Sequence, residues 1–172
     1  MRVSINREKL AAFQSIKQKL LDMLNAAQES VRDSQSEANS HIGAMQSRYD
    51  TFKEEAQYLA TAQKIRSIKL EGSIKECERL MERLSNDMLA FNKVEPGALV
   101  VISDECKLGL EKSFLIVPDC AGERVSIGGK QALCVTPDAP VIKPFIGLEQ
   151  GDYPDDFSGD SSLESTYVKS VR

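Results

Sequence analysis

The sequence predicts an α+β protein: a long N-terminal antiparallel coiled-coil hairpin, residues 1–94, followed by a small β-sheet domain with one short helix, residues 95–172. Three observations carry that expectation. Residues 1 to about 92 contain no proline and only two glycines, while the six prolines and the other eight glycines follow. Apolar residues in the first part recur at helical steps, whereas short apolar runs in the second are separated by turn formers. Charge divides at the same place: residues 1–94 carry 15 Lys/Arg against 13 Asp/Glu and residues 95–172 carry 7 against 13, so +2 and −6 sum to −4.

In the first part Leu10, Phe13, Leu20, Leu24, Ala27 and Val31 follow one another at steps of three and four, with Lys17 filling the one gap. Leu70, Ile74, Cys77, Met81, Leu84, Met88 and Phe91 form a second series, opened by Phe52, Ala56 and Leu59. Such spacing is the seam of a coiled coil. Between the series lies "SQSEANSHIGAMQSR", polar, small and interrupted by Gly43. It cannot hold a seam, so the chain reverses there, with the tip at about 38–50. A single continuous helix forming a dimeric coiled coil is the competing arrangement, and Gly43 and the broken seam argue against it. Each arm of roughly 35 to 40 residues would span roughly 50 to 60 Å.

Glu95-Pro96-Gly97 is expected to stop the second helix and start a turn. Strand-like runs follow at Ala98–Ile102, Ser113–Val117, Arg124–Ile127, Ala132–Thr136 and Thr166–Val171, with "DCAGE" and "IGGK" as turns. The short helix belongs to "TPDAPVIKPFIGLEQGD", residues 136–152. Pro140 suits its first turn, where a missing N–H costs little, and Gly147 suits its exit. Pro144 is the awkward residue, because four residues on its ring should crowd that first turn.

Several function classes find no support. The chain shows no GxxxxGK[ST], GxSxG or HExxH pattern, and "GDYPDDFSGDSSLE" lacks the alternation of a calcium loop. Its four cysteines, Cys77, Cys106, Cys120 and Cys134, form no CxxC pair, and His41 is the single histidine. Buried or reduced thiols are therefore expected, with no metal cluster, no cofactor and no catalytic residue. No run approaches the roughly 18 to 20 apolar residues of a membrane span, and the N-terminus has no signal-peptide pattern, so a cytoplasmic protein is expected. Lys and Arg nowhere cluster as duplex DNA would require. Six acids, and no base, occupy residues 149–164.

One place could bring carboxylates together. Asp33 and Glu37 lie four apart on the first arm, and Asp50 and Glu54 four apart on the second, so each pair shares a helix face. If the arms met at the tip, these oxygens could be directed at a Mg²⁺ ion. Ordinary solvated helix charges are the plainer reading.

A polar-tipped hairpin joined by "NKVEPGALVVI" to a small β-domain resembles the Gre-type family of bacterial transcription elongation factors (the GreA/GreB/Rnk-like group). The match is closest at Asp138-Ala139-Pro140-Val141, then Ile142-Lys143-Pro144-Phe145-Ile146-Gly147, three residues, and Gly151-Asp152. The family carries Asp-Ser-Pro-Leu, a short helix ending in glycine, three residues and Gly-Asp, without a gap. "PGALVVI", "KSFLIV" and "TYVKSV" resemble further strands of that domain. The resemblance implies an FKBP-like second domain that docks on RNA polymerase at the rim of its secondary channel, while the hairpin enters the channel. Docking would fall to Asp138, Ala139, Pro140 and Val141, with alanine replacing the family's serine. Nascent RNA would be contacted only indirectly, and neither duplex DNA nor a membrane is an expected partner.

The tip departs from the family. Cleavage-promoting members carry Gly-Asp-Leu-Ser-Glu-Asn there, with the acids beside the polymerase Mg²⁺. Aligning glycine with glycine puts Ala44 and Ser47 at the acidic positions; aligning Phe52 with the family's tyrosine puts Met45 and Arg48 there. Either way the acidic pair is lost, and Arg48 would repel a cation. The expectation is therefore a regulatory polymerase binder that does not promote cleavage and is not an enzyme. A cleavage factor using Asp33, Glu37, Asp50 or Glu54 is the alternative. A prolyl isomerase or chaperone module fits less well, because the second half offers few aromatics for an apolar pocket and no Trp.

Overall fold

The computed structural model describes residues 2–40, 46–85, 90–105, 111–154 and 165–172; the side chains of 2–4, 35, 37–40, 46–53 and 56 are outside that description. Two long helices, α1 (Arg2–Ser40) and α2 (Gln46–Ser85), precede the strands β1 (Leu99–Asp104), β2 (Glu111–Ile116), β3 (Arg124–Ile127), β4 (Lys130–Val135) and β5 (Thr166–Val171). The class is α+β. Contacts divide the chain into two compact units, residues 17–75 and residues 1–16 with 76–172. The second therefore contains the outer ends of both helices together with the whole sheet.

In the 17–75 unit Leu20 is fully buried in mid-helix and Ala27 and Ser34 are buried near it in sequence. A lone helix cannot hide a leucine, and α2 is the other described element of this unit, where Ser67, Leu70, Ser73 and Ile74 are buried in turn. The five residues 41–45 connecting the helices reach at most about 18 Å, so helices packed on each other must run antiparallel. The α2 seam runs through Ala60, Gln63, Ser67, Leu70 and Ile74, half-buried and then buried, at alternating steps of three and four. Its serines are satisfied locally: the hydroxyls of Ser67, Ser73 and Ser34 donate to the carbonyls of Gln63, Lys69 and Ser30.

The expected seam needs correction at Leu59, which is 47% exposed: the seam residue is Ala60, one position on. Leu24, Val31, Leu10 and Met81 are half-buried, and Leu80 takes the buried place beside Met81. Phe52, Ala56 and Met88 lie outside the described side chains.

The sheet has the order β3-β4-β2-β1-β5 and is antiparallel except where β2 runs parallel to β4. β1 lies between β2 and β5 and is buried from Leu99 to Ser103, so both its faces are covered. Ile5 of α1 lines the same small cavity as Leu99, Val101 and Ile127, which puts the start of that helix over one face. Phe114, Leu115, Ile116, Val135 and Val168 complete the core. The expected strands at 124–127 and 166–171 coincide with β3 and β5, and the other three shift by one or two residues. "IGGK" is the two-residue hairpin turn between β3 and β4: Gly128 and Gly129 have φ of 61° and 75°, the left-handed pair that matches strand twist.

One expectation about helices fails, and another is met in its shortest form. The second helix does not reach residue 92; α2 is described as far as Ser85, and Ala90–Asn92 are not helical. Tertiary demands win there, because Val94 exchanges backbone hydrogen bonds with Leu148 and Gly147, and Phe91 packs its ring against Gly97 and Leu80. The "short helix" of the second domain is a single 3-10 turn, Lys143–Phe145. Prolines at 140 and 144 explain it. An α-helix would need the N–H of residue 144 to reach the carbonyl of 140, and proline has none.

One core residue is unexpected. Lys9 is fully buried, its Nζ donating to the carbonyls of Gly97 (3.1 Å) and Arg172 (2.5 Å) and standing 4.3 Å from the centre of the Phe91 ring. Burial pulls its pKa from 10.5 down to about 7.

Candidate functional site

The candidate loop, residues 136–152, leaves β4 and crosses the sheet domain before β5. Its backbone is held at short intervals. Ala139 N–H donates to Thr136, and the Ala139 carbonyl accepts from both Ile142 and Lys143 at 3.0 and 2.9 Å, which closes a tight double turn around Pro140 and Val141. Phe145 then donates to Ile142, and Gly147 to Val94 at 2.8 Å. Gly147 has φ of 87°, which any L side chain would resist, so the glycine is what lets the chain turn back toward Val94. Further on, the Asp152 carboxylate accepts from the Glu149 N–H, while Gly151 and Asp152 bond Val168 of β5.

Two apolar side chains anchor this frame. Ile142 and Phe145 are 0% and 1% exposed, the first capping the single helical turn and the second ending it. Pro144 occupies the second position of that turn, where no internal N–H is required, so the expected crowding is relieved. What the anchors cannot cover faces solvent: Asp138, Pro140, Val141 and Ile146 are exposed and Ala139 is half-buried. The predicted docking quartet is therefore brought together on one pinned double turn. The Asp138 carboxylate makes no hydrogen bond or ion pair among the described residues. Ile146 adds an exposed apolar group that sequence reading omitted. Its adjacency to Phe145 was the available signal, since a one-turn helix cannot bury both.

The hairpin-tip calls divide differently. Ala44 and Met45 lie outside the described residues, as do the side chains of Glu37, Ser47, Arg48 and Asp50. Asp33 on α1 and Glu54 on α2 are exposed. Among the described residues no three His, Cys, Asp or Glu side chains gather as a metal would require. Cys77 and Cys134 are buried and Cys120 half-buried, none of the three in a disulfide, and burial pushes the Cys77 thiol up to about 12. No described helix is long and apolar enough to cross a membrane.

A recess of about 510 Å³ is lined by residues including Asn6, Phe91, Asn92, Gln150 and Ser170. Its one carboxylate, Glu149, lies 3.5 Å from Lys93. The other polar residues of the lining are the amides, Ser170 and Arg172.

No protein-family model matches the chain, and no curated protein matches it. Three solved structures resemble it along their lengths. One is of the transcription factor Gfh1 (17% identity, 91% of this chain, 92% of that one, TM-score 0.33). A second is of GreA factor homolog 1 (Gfh1) of Thermus thermophilus (16%, 93%, 94%, 0.32). A third is of Thermus aquaticus Gfh1 (15%, 90%, 92%, 0.34). Scores this low leave the fold to be read from the chain's own elements.

Proposed function

We propose that this chain is a Gre-like transcription regulator, not itself an enzyme, that docks on bacterial RNA polymerase at the rim of the secondary channel. Docking falls to Asp138, Ala139, Pro140 and Val141, and the hairpin enters the channel without promoting RNA cleavage. The observation that carries this reading is the double turn at Ala139. It holds an unengaged carboxylate, a rigid proline and an apolar side chain at the surface on a backbone fixed from beneath by Ile142 and Phe145. A preorganised acidic-apolar corner of this kind loses little entropy on binding.

Binding of labelled chain to core polymerase tests the proposal. Asp138→Arg should weaken binding at least about tenfold, since a rim charge is being replaced by its opposite. Thermal unfolding should not change, because the side chain is exposed. No binding, or binding indifferent to Asp138→Arg, sinks it. The cleavage reading is separated by adding the chain to backtracked complexes: no short 3′ fragments are expected, and their release, lost on Asp50→Ala, would replace this proposal with the alternative.

A further inference from the structure

Helix α2 carries two stripes at coiled-coil spacing, and its own unit covers one of them. The seam runs 60, 63, 67, 70, 74; the second runs Tyr58, Thr61, Ile65, Ile68, Gly72, again at steps of three, four, three and four. A two-residue offset is about 200° around an α-helix, so the second stripe lies opposite the seam. Its apolar members are open: Tyr58 is 80% exposed, Ile65 64% and Ile68 61%. Thr61 turns its hydroxyl back to the Gln57 carbonyl at 2.8 Å, which satisfies its polar group within the helix. A side chain added at Gly72 would meet nothing within 4 Å. Nothing in helix propensity asks for two exposed β-branched isoleucines.

Flanking charges decide what fits. In a parallel pairing with a second copy, the positions beside the stripe set Lys64 against Lys69 and Glu71 against Glu76. Both contacts are repulsive. An antiparallel pairing with Ile65 facing Ile68 of the second copy sets Lys64 against Glu71, and two-fold symmetry makes that pair twice. The same register places Thr61 opposite Gly72, a small layer, and Tyr58 opposite Lys75, whose ammonium can lie over the ring. Glu55 against Glu76 at the outer ends is the one like pair, and Arg79 already holds Glu76 at 2.6 Å.

We infer that the outer face of α2 is an antiparallel self-association surface centred between Ile65 and Ile68, stitched by Lys64 and Glu71 of opposite copies. The overlap, residues 58–75, is about 27 Å of helix, so the interface is small and association weak, rising with protein concentration. The surface does not depend on the polymerase reading.

Sedimentation equilibrium of the full chain tests it, at concentrations into the millimolar range. The mass should climb from the 19.0 kDa of one chain toward twice that. Lys64→Glu alone and Glu71→Lys alone should each weaken association at least about tenfold, by turning two attractive pairs into two repulsive ones. The double exchange, Lys64→Glu with Glu71→Lys, should restore it, as an unrelated contact would not, whereas a parallel contact would be strengthened by either single exchange. Circular dichroism checks that each variant stays helical; if one does not, the other single exchange carries the same test. A chain that stays monomeric throughout leaves the stripe to a helix of another protein and overturns the proposal. A double exchange that fails to restore association overturns it too.

Discussion

The loop at 136–152 and the outer face of α2 both place isoleucine and valine or tyrosine at the surface, for opposite reasons. In the loop, exposure is a remainder. Its backbone is bound to Thr136, Val94 and Val168, its anchors Ile142 and Phe145 are buried, and Val141 and Ile146 stay outside because a single turn has too few inward positions. On α2 the helix is regular, and neither cap nor tether constrains Ile65 and Ile68. Their exposure is a complete coiled-coil pattern that the covered seam has no use for. Apolar exposure thus means little until it is set against what the local backbone already demands.

That contrast breaks first at the loop anchors. Phe145→Ala should cost about 3–5 kcal/mol in chemical unfolding, through lost burial and the cavity left behind. Val141→Ala, on the same loop, should cost less than about 0.5 kcal/mol. Equal losses at the two positions would mean that the loop is not pinned from beneath.

Lys9 gives the next effect, and it depends on pH. Its folded pKa of about 7 lies below the ordinary 10.5, so between those values the unfolded chain binds the extra proton. The Lys9 contribution to stability should therefore rise as pH goes from about 7 to about 10.5, and be flat outside that window. The ceiling is about 5 kcal/mol at about 1.36 kcal/mol per unit. The observed rise should be smaller, because the carbonyls of Gly97 and Arg172 and the Phe91 ring all favour the charged lysine. Lys9→Met should remove the slope. Gly147→Ala follows, at about 1–2 kcal/mol for forcing a side chain into the left-handed region. Gly72→Ala, in open helix, should instead stabilise by about 1 kcal/mol.

Much of this was legible because periodicity survives as burial. Leu20, Ala27, Leu70, Ile74 and Cys77 sit where the spacing puts them, and the glycines of "IGGK" turn as their type requires. The misread end of the second helix has its source in long-range packing that overrides local signals. Ser85-Asn86-Asp87 carries turn-forming residues, yet the apolar spacing at Met88 and Phe91 reads as more helix. Phe91 is indeed buried, but against Gly97 and Leu80 from a non-helical backbone. Nothing in the neighbouring sequence marks Lys9 as a core residue; the approach of two distant carbonyls makes it one. Pro144 is the awkward residue of the expected short helix, which is a single 3-10 turn. The candidate site was legible in its residues, Asp138 to Val141, but not in the bonds that fix them.

The smallest effect tests the second half of the comparison most directly. At concentrations where the chain is monomeric, Ile65→Gln should change unfolding free energy by less than about 0.5 kcal/mol, since a 64% exposed side chain has little burial to lose. Leu70→Gln, five residues along the same helix and 3% exposed, should cost several times more by burying an unpaired amide. If Ile65→Gln proved as costly as Leu70→Gln in the monomer, the stripe would belong to the chain's own core and no second copy would be needed to explain it. If instead its effect appears only as concentration rises, the two faces of α2 are separable: one holds the hairpin together, and the other is kept apolar for a partner.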